Sequence, residues 1–499
     1  MSLAIVRTRA QVGIDAPAVT VEVHLSGGLP SFAIVGLPET AVKESRERVR
    51  SALLNSGFEF PARRITVNLA PADLPKEGGR YDLAIAIGIL AATGQLKKDQ
   101  LDGYEFLAEL ALSGELRPVS GVLPAALECQ RAQNCLWLMA DNVAEASLVD
   151  DLTIFSAKSL LQVCGHISGA QLITHNSPTE IPVAPPHYPD LQEVKGQHQA
   201  KRALEIAAAG SHNLLFSGPP GSGKSMLADR LPGILPQLSS AQLLEVAAIY
   251  SVAGMASTDV YAAVRPFRAP HHTASAVALV GGGSRPRPGE VSLAHHGVLF
   301  LDELPEYSRQ VLEVLREPME SGHIHISRVA QQICFPARFQ LVAAMNPCPC
   351  GFAGDSGGRC RCTPDQVNRY QSKISGPLLD RIDMQAWVPG LPADQLMAKN
   401  CETENSAAVR KRVAAAREVQ LHRQGYENSV MGVTDIEKYC CLQQDDQALL
   451  ITAMQRMNLS ARAVHRVLKV ARTIADLNGQ LAIQRDSLLE AIGFRRSRS

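Results

Sequence analysis

The chain has no excess of charge of either sign: 49 lysines and arginines meet 49 aspartates and glutamates across 499 residues. Net charge therefore points neither toward nor away from nucleic acid, and any basic surface has to be local. No apolar run is long enough to span a bilayer. The longest, near Leu83 to Ala92, falls well short of the roughly 20 residues a spanning helix needs. Residues 1–15 carry Arg7 and Arg9 but no apolar segment of the secretory kind, so no signal is expected. Internal repeats and long low-complexity tracts are also lacking, which argues against a repeat array. With 11 cysteines and no such signal, the expected location is a reducing cytoplasm. There, free thiols or metal ligation are favoured over disulfides. What remains is an ordinary globular composition, long enough for about two to four domains.

One stretch organises the rest. Asn213 to Ser217 reads as a buried strand, and Gly218-Pro219-Pro220-Gly221-Ser222-Gly223-Lys224-Ser225 fits the pattern G-x-x-x-x-G-K-[ST]. Glycines let backbone N–H groups converge on a polyphosphate, because a Cβ would block the approach. Lys224 can reach the outer phosphates of ATP, and the Ser225 hydroxyl can ligate Mg²⁺. Met226-Leu227-Ala228 continues as a helix. About eighty residues later, Val298-Leu299-Phe300-Leu301 runs into Asp302-Glu303, a strand ending in two carboxylates. Asp302 is expected to hold Mg²⁺, and Glu303 to orient and polarise the attacking water.

A third apolar strand, Phe339 to Met345, ends at Asn346. Asn346 resembles the sensor 1 residue of AAA+ ATPases. Gly376 to Asp383 follows, and its Arg381 is similar to the arginine finger of that class, which a neighbouring subunit supplies to the transferring phosphate. Ser460 is a candidate helix N-cap, and Arg462 just after it fits sensor 2. Two insertions narrow the resemblance. One contains Phe267 to His272 and the glycine-rich run Leu279 to Glu290 with Arg285. The other alternates through His323 to Ala330 and Gln332 to Arg338, a hairpin pattern with Arg328 near its tip. The pair resembles the helix-2 insert and pre-sensor 1 hairpin of the magnesium chelatase and MCM helicase branch. That implies backbone phosphate contacts for Arg285 and Arg328; contact with neighbouring subunits is the alternative. His271-His272 and His295-His296 are read as pore-loop or interface residues.

Cys348-Pro349-Cys350 and Cys360-Arg361-Cys362 pair four thiols across a glycine-rich loop. They can close a tetrahedral Zn²⁺ site; a redox dithiol pair is the other reading.

Upstream, strand and helix signals alternate over about 170 residues, with a charged helix over Ala41 to Leu54 and an apolar one over Tyr81 to Thr93. Pro75 to Asp82 and Gly114 to Gly121 together resemble the proteolytic domain of Lon proteases. The family's serine position falls on Arg80 and its lysine position on Ala125. Neither residue can serve a serine–lysine mechanism, so no protease is expected. Arg46, Arg63, Arg64 and Arg80 read either as a binding face or as solvated charges.

These motifs together are similar to the YifB/ComM family of magnesium chelatase-like AAA+ proteins over nearly the whole chain. The resemblance implies an α/β fold with a P-loop AAA+ core of parallel sheet and flanking helices. It also implies a Lon-protease-like α+β domain (ribosomal S5 domain 2-like) in front and a helical lid behind. The expected boundaries are 1–175 for the inactive Lon-like domain, 176–190 for a proline-rich linker, 191–395 for the ATPase core and 396–499 for the lid. The family further implies an ATP- and Mg²⁺-dependent hexameric ring. It would bind single-stranded or branched DNA and act as a helicase or branch-migration factor in natural transformation. A chelatase-type motor and a Lon-related regulatory assembly remain open alternatives.

Overall fold

The computed structural model describes residues 2–176, 188–255, 263–283, 286–327, 332–354, 357–392 and 404–495. The chain divides into two compact units. The first comprises Met1–Ala184, Ser240–Ala262 and Val329–Cys334, and the second Pro185–Ser239, Ala263–Arg328 and Phe335–Ser499. Most of the expected linker, residues 177–187, lies outside the described residues.

The first unit is built on a seven-stranded sheet. In chain order its strands are β1 (Ser2–Arg9), β2 (Ala18–Ser26), β3 (Ser31–Val35), β4 (Arg64–Ala70), β5 (Tyr104–Leu107), β6 (Cys135–Met139) and β7 (Ile154–Ala157). In space they run β3-β4-β2-β1-β5-β6-β7. The β4-β2-β1 portion is antiparallel and the β5-β6-β7 edge parallel. Strict alternation in β2 buries Val19, Val21, Val23 and Leu25 on one face. Helix Asp82–Thr93 packs on β1 and β2 and is buried almost all round, as its uniformly apolar sequence requires. Gly88 sits at the closest approach: a Cβ there would lie 2.6 Å from Val23 Cγ2. The expected helix over Ala41 to Leu54 forms as two pieces, Thr40–Lys43 and Ser45–Asn55, meeting at Glu44.

Helix Ser240–Ala253 belongs to this first unit although it follows the P-loop in sequence. It packs on helix Val122–Arg131. There the Gly121 N–H donates to the Ser251 carbonyl at 3.0 Å, and the Leu123 N–H to Ser251 Oγ at 3.3 Å. Those two donors head the helix and have no intrahelical acceptor; Ser251 takes up the first and shares the second with Glu145 Oε1, which accepts from the Leu123 N–H at 3.0 Å.

The second unit holds a five-stranded parallel sheet. Its strands are β8 (Leu214–Ser217), β9 (Phe267–Arg268), β10 (Val298–Leu301), β11 (Gln340–Met345) and β12 (Met384–Trp387), in the order β9-β10-β11-β8-β12. Both faces are covered, so β10 and β11 are buried along their full length, and β10, like β11 after Gln340, reads as an apolar run. Helices His198–Gly210, Ser406–Gln424 and Ala461–Leu477 contribute to the same hydrophobic cluster. Ser460 caps the last of them, its side chain accepting from the Ala463 N–H. Arg417, on Ser406–Gln424, caps the end of His198–Gly210 by donating to the Ala208 and Ala209 carbonyls at 2.6 and 3.1 Å. The C-terminal region is thus helical and fastened to the sheet layer. No helix among the described residues is long and apolar enough to cross a membrane.

Candidate nucleotide-binding site

The site is set by register. Ser217 pairs with Met345 and Leu301 with Ala343 in adjacent parallel strands. The turns after β8, β10 and β11 therefore open on one edge, where open α/β sheets place their ligands. Gly218 begins the turn after β8 under tight constraint: a Cβ there would lie 2.1 Å from the Val388 carbonyl oxygen. The following helix is short, Lys224–Ala228. A second turn, Leu231–Ile234, begins with a proline at its second position, which a continuous helix would not accommodate.

Lys224 is nearly buried. Its Nζ donates to the carbonyls of Gly218 and Pro219 at 2.8 and 2.9 Å and to Asn346 Oδ1 at 3.2 Å. Burial lowers its pKa, and the nearby Asp302 and Glu303 carboxylates oppose that shift. Ser225 Oγ donates to Asp302 Oδ2 at 2.6 Å. A hydroxyl and a carboxylate in contact at the end of a P-loop are the hard oxygen donors a divalent cation takes. The crowded Gly218 backbone and the Lys224 ammonium suit a polyphosphate. The residues present therefore fit ATP and Mg²⁺.

Glu303 adopts a left-handed conformation, φ 50°, uncommon for a residue other than glycine and a recurrent feature of functional turns. Its side chain is half exposed, and its Oε2 lies 3.4 Å from His272 Nδ1. His272 thus stands beside the site, a placement the sequence alone did not suggest. Pro270 and Tyr307 support it: the Tyr307 hydroxyl donates to the Pro270 carbonyl at 2.5 Å. Gln197 is a second unforeseen neighbour. Also left-handed, at φ 54°, it donates through Nε2 to the carbonyls of Ser222 and Pro389 at 3.1 and 2.7 Å. It ties the P-loop to the chain leaving β12.

Arg381 is nearly buried and paired with Glu320 at 2.6 Å, and its Nη1 donates to the Pro377 carbonyl. The same Glu320 oxygen lies 3.8 Å from the exposed Arg462 guanidinium. One carboxylate therefore faces both the arginine-finger candidate and the sensor 2 candidate. Behind them, Arg466 pairs with Asp383, which also accepts from the Asn213 N–H at 2.8 Å. His212 packs here fully buried, and burial pushes its pKa down to about 4. Arg285 and Arg328 lie outside the described residues. The strands His323–Ser327 and Gln332–Pro336 flank the latter.

The four cysteines converge. Cys348, Cys350, Cys360 and Cys362 present sulfurs all within 4.8 Å of one another. The Cys348 sulfur is 3.3 Å from that of Cys350 and 3.8 Å from that of Cys360, and the Cys350–Cys360 separation is 3.6 Å. The Arg361 and Phe352 N–H groups hold the Cys350 thiol below its ordinary range. In the first unit, Arg80 is buried at the position aligned with the Lon serine, and Ala125 is buried in helix Val122–Arg131.

A P-loop between neighbouring parallel strands, a carboxylate-ended strand beside it and a helical C-terminal region define an ATPase fold of the AAA+ class. Family models agree: "Magnesium chelatase, subunit ChlI" matches residues 190–396, "Subunit ChlI of Mg-chelatase" matches 21–142, and "Magnesium chelatase, subunit ChlI C-terminal" matches 403–495. The chain is 51% identical over 495 residues to the uncharacterised protein YifB of Salmonella typhimurium, covering 99% of this chain and 97% of the relative. It is likewise 51% identical over 499 residues to the competence protein ComM of Haemophilus influenzae, covering 99% and 98%. An uncharacterised Mycobacterium tuberculosis protein is 44% identical over 495 residues, 97% of each chain. The chain belongs to the YifB/ComM family of magnesium chelatase-like AAA+ proteins, a membership that suggests ATPase activity and the use of ATP and Mg²⁺.

Proposed function

We propose that the chain is an ATP-driven DNA motor that works as a ring, most simply a hexamer. It would move branched or single-stranded DNA during recombination, as a helicase or branch-migration factor. The name of the Haemophilus influenzae relative, competence protein ComM, supports placing that work in the uptake and integration of DNA. The observation that carries the reading is the meeting of Lys224, Ser225, Asp302 and Asn346 at one sheet edge.

In this reading Gly218 to Ser225 cradle the phosphates, and Ser225 with Asp302 would hold Mg²⁺. That ion, when bound, neutralises charge on the phosphates. Lys224 exchanges its hold on the Gly218 and Pro219 carbonyls for phosphate oxygens. Glu303 orients a water and takes up its proton at the carboxylate, with His272 positioned to steady that carboxylate. Asn346 keeps Lys224 and the water aligned. Arg381 acts on the nucleotide of a neighbouring subunit and Arg462 senses nucleotide from the lid, both after parting from Glu320. Arg285 and Arg328 grip DNA phosphate in the pore. The four cysteines hold Zn²⁺. The working division is an inactive Lon-like domain over 1–175, a linker over 176–190, the ATPase core over 191–395 and a lid over 396–499. Helix Ser240–Ala253 is a part of the core's sequence that has joined the first unit.

A four-way DNA junction with the full chain and ATP provides the test. ATP-dependent conversion of the junction to its duplex products, absent with Lys224→Ala, supports the proposal. An ATPase that leaves junctions and forks untouched sinks it. The matching family names favour a second reading, a motor for metal insertion into a porphyrin. Such a protein would hydrolyse ATP at a rate indifferent to DNA.

A further inference from the structure

The cysteine knuckle abuts the nucleotide site. Cys348 follows Asn346 by two residues at the end of β11, and Asn346 Oδ1 accepts from Lys224 Nζ. Gly351, within the knuckle, lies over the P-loop: at φ 85°, a Cβ there would come 2.7 Å from Pro220 Cδ and 3.9 Å from Asn346 Cγ. The far pair, Cys360 and Cys362, runs into helix Pro364–Gln371, which opens with a Thr363 capping box. Gln371 closes the circuit by donating to the Pro347 carbonyl at 3.0 Å. The Ala353 N–H donates to the Cys348 sulfur at 3.3 Å, the kind of outer contact that orients metal thiolates.

The sulfur spacing fits a metal better than a redox pair. Four thiolates about 2.3 Å from Zn²⁺ stand about 3.8 Å apart along the edges of a tetrahedron. The three separations of 3.3, 3.6 and 3.8 Å fall close to that edge. All four sulfurs lie within 4.8 Å of one another, so they form one cluster of four and not two separate pairs.

We propose that the four-thiolate site is a Zn²⁺ clamp that positions the P-loop: the ion fixes Gly351 against Pro220 and holds Asn346 within reach of Lys224. The clamp is a positioning element and touches neither nucleotide nor water. It rests on the nucleotide-site and zinc readings above and adds the coupling between them.

The test uses the full chain and three measurements: zinc per chain, affinity for a fluorescent ATP analogue, and circular dichroism with thermal unfolding. The parent should carry about one zinc. The Cys360→Ser/Cys362→Ser variant should lose it and bind the analogue at least roughly tenfold more weakly, a cost typical of a misplaced site. Cys362→His, which keeps a fourth donor, should retain zinc and most of the affinity. Gly351→Ala keeps all four thiols. It should keep its zinc and still bind the analogue several-fold more weakly, which decides the matter even if the double variant does not fold. A folded, zinc-free double variant with parental affinity, or unchanged affinity in Gly351→Ala, overturns the coupling. A parent that binds the analogue but holds no metal overturns the clamp and the zinc site, leaving the nucleotide site standing. A parent that binds no analogue overturns the nucleotide site and the clamp with it.

Discussion

Arg80 in the first unit and Lys224 in the second are both buried cations that follow glycine-rich turns. Arg80 donates to the Gln11 side chain and to the Ser120 carbonyl at 2.7 Å, and burial lowers its pKa. The nearest helix-start carboxylate, Asp82, is taken up by Arg48 at 2.6 Å. Arg80 and Ala125 offer neither the hydroxyl nor the proton acceptor that a serine–lysine mechanism requires. Around Lys224 the contacts are of another kind: carbonyls that a phosphate could displace, a Ser225–Asp302 pair suited to a cation, and a half-exposed Glu303. Arg80 is thus held by side-chain and backbone acceptors of its own unit, whereas Lys224 stands among groups that a bound nucleotide could take over.

Removing the exchangeable groups around Lys224 should have the largest effect. Lys224→Ala should abolish ATP binding or hydrolysis. Glu303→Gln should bind ATP nearly normally yet turn over at least roughly a hundredfold more slowly, because only the water's proton acceptor is lost. Near-parental turnover by Glu303→Gln would remove Glu303 from the mechanism. Arg381→Ala should lower kcat by a comparable factor. Mixed with Lys224→Ala it should recover part of the activity, since each variant supplies in trans what the other lacks. No recovery on mixing would confine Arg381 to the Glu320 ion pair in which it sits.

The third effect concerns stability. His212 is buried neutral, with its pKa pushed down to about 4. A depressed histidine contributes stability that is fully present above its unfolded value near 6.5 and lost as pH falls toward 4. Asp383, its neighbour, has a lowered pKa that acts in the same direction at lower pH. The parent should therefore lose stability steeply between about pH 6.5 and 4, by up to about 3 kcal/mol from His212. A His212→Gln variant should be less stable at pH 7.5 and show a flatter acid limb in a denaturant titration. An unchanged acid limb would place the loss elsewhere. The smallest effect is expected in the first unit. Arg80→Met should leave ATP hydrolysis within about twofold of the parent, and neither it nor Arg80→Ser/Ala125→Lys should cleave an unfolded protein substrate, because fold resemblance does not carry activity.

Much of this was legible in the sequence because one signal sufficed for each part. Strands β10 and β11 are fully buried and β8 is buried but for Ser217, so they appear as largely apolar runs. Gly218 to Ser225 and Asp302-Glu303 stand at their ends, where register brings them together. The cap at Ser460 likewise follows from local chemistry. What the sequence withheld depends on distant partners. The apolar residues of Ser240–Ala253 mark a buried helix without saying which unit receives it; Ser251 and the donors at Gly121 and Leu123 decide that. Nothing local couples His272 to Glu303, or Glu320 to Arg381 and Arg462. The C-x-C spacing left zinc and redox readings open, and it is the three-dimensional sulfur spacing that favours a tetrahedron.

The most direct test of the account is the rate of ATP hydrolysis by the full chain, measured with and without forked DNA at several salt concentrations. A pore that grips backbone phosphate should raise the rate severalfold on any sequence, and the stimulation should fade steeply as salt rises, because each neutralised phosphate releases condensed counterion. An ATPase whose rate is the same with DNA and without it, at low salt as at high, would contradict the claim that this is a DNA motor.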